Sequence, residues 1–191
     1  MEIGKSLFDT LKRLCSILNK TEIKYCLIGG LAVGILAKPR ATEDIDLLML
    51  IGLDSMESVR KLLKQNFDVI QDDNLMHFKN CTIWRVVIKD TFTPDKGIII
   101  IDIVFADRDI YKNAVTDTIS LQINNTVIPV VKPKHLIEIK KLSGRAIDLL
   151  DIQALEEAEQ EMGKPVLKIY NASQGILPDN YKFDREEAHE R

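Results

Sequence analysis

The sequence predicts a mixed α/β sheet domain followed by a small helical segment, an α/β (α+β) architecture. Strand-length apolar runs at 25–28, 47–50 and 97–106 alternate with segments of helical period. Two further β-rich runs, 119–123 and 126–131, flank Asn124-Asn125 and give a hairpin signal. From Lys132 to Met162 the pattern is helical alone.

Taken in order, residues 4–20 place Leu7, Leu11, Leu14 and Leu18 on one face, with Lys and Arg outside, as an amphipathic helix does. The strand at 25–28 ends on Gly29-Gly30, and a small-residue helix over 31–37 is stopped by Pro39. A second strand starts at Asp44 and continues through Leu50. Asp54-Ser55-Met56-Glu57 has capping-box spacing and opens a helix with Met56, Val59, Leu62 and Leu63 inward, ending near Asn66. Phe67 to Ile70 and Leu75 to Lys79 read as short strands around a turn at Asp72-Asp73-Asn74. Residues 82–89 are β-rich, 93–97 form a turn, 97–106 are the most apolar strand, and 108–114 form a short helix.

Beyond the hairpin, Lys132-Pro133-Lys134 opens a helix containing Leu136, Ile137, Ile139 and Lys140, broken near Ser143-Gly144. The last helix, 146–162, takes its apolar stripe from Ile147, Leu150, Ala154 and Leu155, and Gly163-Lys164-Pro165 closes it. The resulting plan is a core over 1–131, a helical segment packed on it over 132–163, and a tail or arm over 164–191.

Composition narrows the function classes. With 191 residues, 46% hydrophobic and 29% charged, the chain can bury a core and is not disordered. Its longest apolar run is interrupted by Asp102 and too short to cross a bilayer, so no membrane role is expected. The first ten residues carry two acids and lack the apolar region of a signal peptide. Cys15, Cys26 and Cys81 are odd in number and lack metal-ligand spacing; they read as buried reduced thiols, which points to the cytoplasm. A net charge of −3 argues against broad duplex DNA binding.

The candidate site rests on three features taken together. Gly29-Gly30 joins a strand end to a helix start, which taken alone reads as plain turn chemistry or as a place where a ligand can approach the backbone and free N–H groups favour phosphate. Asp44 and Asp46 lie on one strand face while Ile45 and Leu47 lie on the other. Two like charges at the head of an apolar strand repel one another and are costly to desolvate, which a divalent cation relieves. Asp102 interrupts a run of isoleucines and must be neutralised, paired or metal-bound. If its strand lies beside the Asp44 strand, three carboxylates converge next to a phosphate-binding helix end. That set suits Mg²⁺, and two such ions can clamp an in-line displacement at phosphorus.

Gly29-Gly30, a 13-residue gap, Asp44-Ile45-Asp46 and a later strand aspartate resemble the signature of the nucleotidyltransferase superfamily of the polymerase-beta type. The stretch Arg40-Ala41-Thr42-Glu43-Asp44-Ile45-Asp46 is particularly similar to its minimal members, the AbiEii-toxin-like group. Residues 136–151 resemble that group's helix bearing a Lys, then Gly-Arg, then two aspartates: here Lys140, Gly144-Arg145, Asp148 and Asp151, with Ile147 where a Lys is usual. The similarity spans 25 to about 155.

The resemblance implies a nucleotidyltransferase-like mixed sheet flanked by helices, and transfer of NMP from an NTP such as ATP with release of pyrophosphate. It implies that Asp44 and Asp46 hold two Mg²⁺ ions, or Mn²⁺, and that Asp102 shares one and helps deprotonate the incoming hydroxyl. Gly29 and Gly30 then contact the triphosphate, and Arg40 is a candidate phosphate clamp. Lys140 and Arg145 reach the nucleotide or the acceptor. Other readings compete: Arg40 as a surface-loop residue, and Arg145, Asp148 and Asp151 as a structural ion-pair set. Glu43 reads as solvated, and His77 and His135 as core or surface histidines without a partnered acid in sequence.

So few residues follow the last strand that a single-step transferase is expected rather than a processive polymerase. The acceptor is a protein hydroxyl, a tRNA end or a small molecule such as an antibiotic. By analogy with the group, the chain is a toxin of a toxin–antitoxin or phage-defence pair, with an antitoxin protein as partner. The rival reading is a nucleotide-binding or interaction protein on the same fold without turnover, against which the intact Asp44, Asp46 and Asp102 speak.

Overall fold

The computed structural model describes residues 2–91 and 97–161. Their elements run α1 (Glu2–Leu18), β1 (Tyr25–Leu27), α2 (Gly29–Leu36), β2 (Asp44–Met49), α3 (Leu53–Asn66), β3 (Val69–His77), β4 (Thr82–Lys89), β5 (Ile98–Phe105), α4 (Asp109–Thr116), β6 (Thr118–Ile123), β7 (Thr126–Val131), α5 (Pro133–Ser143) and α6 (Ala146–Glu161). The strands form one mixed seven-stranded sheet in the order β3-β4-β5-β2-β1-β7-β6. β2 runs parallel to β5 and β1 parallel to β7, while the remaining neighbours are antiparallel. The expected mixed α/β architecture is therefore the observed one.

Strand alternation assigns the two sheet faces. Tyr25, Leu27, Ile45, Leu47, Trp84, Ile101 and Ile103 are buried on one of them. There the Tyr25 hydroxyl reaches back to α1, donating to the Cys15 carbonyl and the Asn19 side chain, and Arg60 of α3 lies over the Trp84 ring. The leucine stripe Leu7, Leu11, Leu14 and Leu18 of α1 joins this core. On the opposite face Cys26 meets the Ala114 carbonyl of α4, and beyond it the ends of β2 and β5 carry Asp44, Asp46 and Asp102. The hairpin forms as expected, with Ile123 opposite Thr126 and Asn124 at φ 51°, a left-handed position that asparagine tolerates well.

Several expectations are corrected. The two short strands around Asp72-Asp73-Asn74 are one strand, β3, which runs through without a turn. It is the sheet edge, paired on one side only, so it absorbs its polar stretch in two register shifts, between Val69 and Gln71 and between Gln71 and Asn74. The Asp72 carbonyl accepts from Trp84 Nε1 at 2.9 Å and its carboxylate pairs with Lys64, which holds the irregular stretch down. Helix α3 starts at Leu53 after an extended Gly52, so Asp54 lies inside the first turn rather than capping it. Helix α2 begins at Gly29, two residues before the expected start, and takes both glycines into its first turn.

The largest correction concerns α6. Ala154 and Leu155 are buried as expected, but Ile147 and Leu150 are 43% and 50% exposed. The face turned inward carries Asp148 and Asp151, with Ile152 and Leu155. A hydrophobic stripe is normally the stronger determinant of helix rotation. Here the acids are drawn in by the buried ammonium of Lys140, which both of them bind. The tail over 164–191 and residues 93–96 of the expected turn lie outside the described residues. No helix among the described residues is long and apolar enough to cross a membrane.

Candidate active site

Parallel pairing of β2 with β5 places Asp46 directly opposite Asp102, two residues along from Asp44 opposite Ile100. The same alternation sends Ile45, Leu47, Ile101 and Ile103 into the core beneath. Asp44, Asp46 and Asp102 each offer one carboxylate oxygen within 4.8 Å of the others. The repulsion is visible in Asp46: burial first, then the Asp44 and Asp102 charges, push its carboxyl up to about 7. A hydrogen bond from the Gly30 N–H and the charge of Lys140 only partly offset this. Three converging hard oxygen donors that resist sharing a site as anions fit Mg²⁺ or Mn²⁺.

The glycines at the start of α2 are explained by what lies against them. Gly29 has φ +68°, and a Cβ there would fall 1.8 Å from Asp46 Oδ2. A Cβ on Gly30 would fall 2.1 Å from Arg40 Nη1 and 2.8 Å from Thr42 Oγ1. These positions thus let one acid and one guanidinium close over the helix N-terminus, where free N–H groups favour anions. Thr42 supports the acids, its hydroxyl donating to Asp44 Oδ1 at 2.6 Å.

Two residues beyond those assigned to the site from sequence make contacts within it. Arg85 of β4 stands opposite Asp102 and donates twice to it, from Nε to Oδ1 and from Nη2 to Oδ2. Its only sequence signal is a lone cation in the middle of a β-rich run, between the buried Trp84 and Val86. Asp151 is the second, since Arg40 Nε pairs with its Oδ1 at 3.1 Å. The reading of Arg40 as a free surface-loop residue is corrected accordingly.

Lys140 is buried, and its Nζ lies 3.0 Å from Asp148 Oδ1 and 2.7 Å from Asp151 Oδ2. Arg145 bonds Asp148 through both Nε and Nη2, yet its side chain is 67% exposed. Burial alone would raise the Asp148 carboxyl, but the hydrogen bonds from Arg145 and Lys140 hold it well below the carboxylate range. The structure thus joins Arg145, Asp148 and Asp151 in one ion-pair set, with Lys140 at its centre and Arg40 at its edge.

The two histidines stand apart from this set. His77 Nδ1 lies 3.3 Å from the Thr82 hydroxyl on the surface. His135 does have an acid partner, Asp117, within a separate cluster with Lys132 and Lys134.

No protein-family model matches the chain, and no curated protein matches it in sequence. Solved structures do share its fold. A nucleotidyltransferase-like antigenic protein from Paracoccidioides brasiliensis superposes with a TM-score of 0.55 at 23% identity, over 79% of this chain and 75% of that one. A protein of Thermotoga maritima assigned as a nucleotidyltransferase gives a TM-score of 0.57 at 13% identity, over 83% and 96% of the two chains. One from H. pylori with the same assignment gives 0.50 at 14% identity, over 84% and 70%. The chain therefore has the nucleotidyltransferase-like fold.

Proposed function

We propose that this protein is a metal-dependent nucleotidyltransferase that moves an NMP from an NTP to a hydroxyl acceptor and releases pyrophosphate. The observation that carries the reading is the register pair Asp46–Asp102 with Asp44 beside it, set against the N-terminal turn of α2.

In this reading Asp44 and Asp46 hold two Mg²⁺ ions and Asp102 shares one of them. Bound there, the ions supply Lewis-acid stabilisation of the charge that develops around the α-phosphorus. Gly29 and Gly30 receive the triphosphate at the helix mouth, and Arg40 clamps it with planar, charge-assisted donors. Lys140, bound to Asp148 and Asp151, favours ionised Asp46 by its charge. Arg145, the exposed member of the ion-pair set, faces the nucleotide or the acceptor. A bond forms between the acceptor oxygen and the α-phosphorus, and the bond from that phosphorus to the bridging oxygen breaks. Pyrophosphate leaves with the electron pair while the acceptor proton passes to Asp102.

The similarity of residues 40–46 and 136–151 to the AbiEii-toxin-like group supports a toxin role opposed by an antitoxin protein. The acceptor hydroxyl in this reading is that of a protein, a tRNA end or a small molecule. The free thiols of Cys15, Cys26 and Cys81 support a cytoplasmic protein.

The test is incubation with each α-labelled NTP, Mg²⁺ and total cell extract, followed by separation of protein, RNA and small molecules. Label in one fraction, absent with Asp44→Ala/Asp46→Ala, identifies the acceptor class. Metal-dependent NTP binding without label in any fraction would favour the idle nucleotide-binding reading.

A further inference from the structure

We propose that Asp151 is a positioning residue for nucleotide binding: it fixes the Arg40 guanidinium over the first turn of α2, so the α5–α6 pair sets the triphosphate clamp. The inference rests on the reading of Arg40 as that clamp and goes beyond it by naming what holds the clamp in place.

Arg40 belongs to the irregular stretch between α2 and β2. An arginine in such a stretch loses rotamer freedom when it is held in one pose, so a fixed pose requires anchors. Two are present. Nε pairs with Asp151 Oδ1 at 3.1 Å, and Nη1 occupies the space that a Cβ of residue 30 would need. Contact through Nε leaves the Nη end of the guanidinium directed at the helix mouth, where an arriving phosphate meets the α2 N–H groups.

Asp151 is itself immobilised. Its second oxygen accepts from Lys140 Nζ at 2.7 Å, and the residue is 3% exposed. Asp148 binds the same ammonium at 3.0 Å and Arg145 on its other side, so Lys140 and Arg145 already balance the two acids. Arg40 is a third cation, held on the Asp151 oxygen that Lys140 leaves free.

The rotation of α6 carries the same message. Turning Ile147, Leu149 and Leu150 outward while burying Asp148 and Asp151 is a poor choice for stability alone. Buried ion pairs are often no better than apolar packing of the same volume, and can be worse. The arrangement is explained if the inward acids deliver a fixed carboxylate to Arg40.

The experiment is a double-mutant cycle on KM for the NTP and on kcat, using the full chain with Mg²⁺ and the NTP and acceptor found in the labelling test. Variants are Asp151→Asn, Arg40→Gln and the two combined. Each single change is expected to raise KM for the NTP about 10-fold or more, with kcat lowered less. The double variant should be no worse than Arg40→Gln, because Asp151 acts only through Arg40. Multiplied effects in the double variant, or an unchanged KM in Asp151→Asn, would overturn the inference while leaving the transfer reading intact.

If Asp151→Asn does not fold, Arg40→Lys asks the same question from a surface stretch. A single ammonium engaged by Asp151 cannot also serve the phosphate, so KM should rise as it does for Arg40→Gln. A wild-type KM in Arg40→Lys would overturn the inference. A wild-type protein that neither binds nor turns over any Mg–NTP overturns the transfer reading and this inference together.

Discussion

Arg85 and Asp102, directly opposite one another on antiparallel neighbours, are joined by two parallel hydrogen bonds of 2.8 and 2.7 Å. The guanidinium sits within reach of the Asp44 and Asp46 charges as well, so it tempers the acidic cluster in the metal-free protein together with Lys140. Because each Asp102 oxygen keeps a further acceptor direction, the pair fixes the carboxylate without closing it to a metal or a proton.

Arg85→Met should therefore destabilise the metal-free protein by about 1–3 kcal/mol, the cost of leaving a largely buried carboxylate without its partner. For a chain of this size that is a fall in Tm of roughly 3–10 °C. Mg²⁺ should restore more of the loss than it adds to wild type, because the ion replaces the missing charge. Thermal unfolding with EDTA and with Mg²⁺ measures both. Equal Mg²⁺-induced shifts in the two proteins would contradict the assignment.

Asp46 makes a pH-dependent prediction whose sign is fixed. Its folded-state carboxyl lies up at about 7, above its ordinary value of 3.8, so the native state holds a proton that the unfolded chain releases. Stability of the metal-free protein from this group is present below about 4 and falls as pH rises toward 7. Asp46→Asn removes that loss. Its stability relative to wild type should be greater at pH 8 than at pH 5, as read from unfolding in EDTA. The same advantage at both values would mean that Asp46 is not strained by its neighbours.

The rotation of α6 is checked by two core-versus-surface substitutions. Leu150→Lys should change stability by no more than about 0.5 kcal/mol, since Leu150 lies on the exposed face. Leu155→Ala should cost about 2–5 kcal/mol, since Leu155 is fully buried. Denaturant unfolding distinguishes them. A core-sized loss for Leu150→Lys would restore the hydrophobic stripe read from sequence.

What the sequence revealed and withheld follows from the range of each interaction. Asp44 and Asp46 share a face because strand periodicity is local, and Gly29-Gly30 marks a junction that any strand-to-helix reading finds. Asp102 could be recognised as a costly acid, but its position opposite Asp46 depends on β2 pairing with β5, more than fifty residues away. Arg85 was invisible for the same reason, since nothing near it in sequence needs a cation. The α6 stripe misled because amphipathicity weighs each residue alone, whereas Asp148 and Asp151 enter the interior as partners of Lys140 and Arg40. At β3, polar residues that read as a turn are tolerated in an edge strand because only one side of the ladder must be paired.

The central claim, that Asp44, Asp46 and Asp102 form a divalent-cation site that brings in a nucleoside triphosphate, is tested most directly by titrating Mn²⁺ and following the free ion by electron paramagnetic resonance. The titration is run with and without ATP on wild type and Asp46→Asn, each shown to be folded. The expected result is Mn²⁺ binding by wild type that tightens at least tenfold when ATP is present, and loss of that tightening in Asp46→Asn. Equal Mn²⁺ binding by the two proteins, with ATP making no difference, would contradict the account.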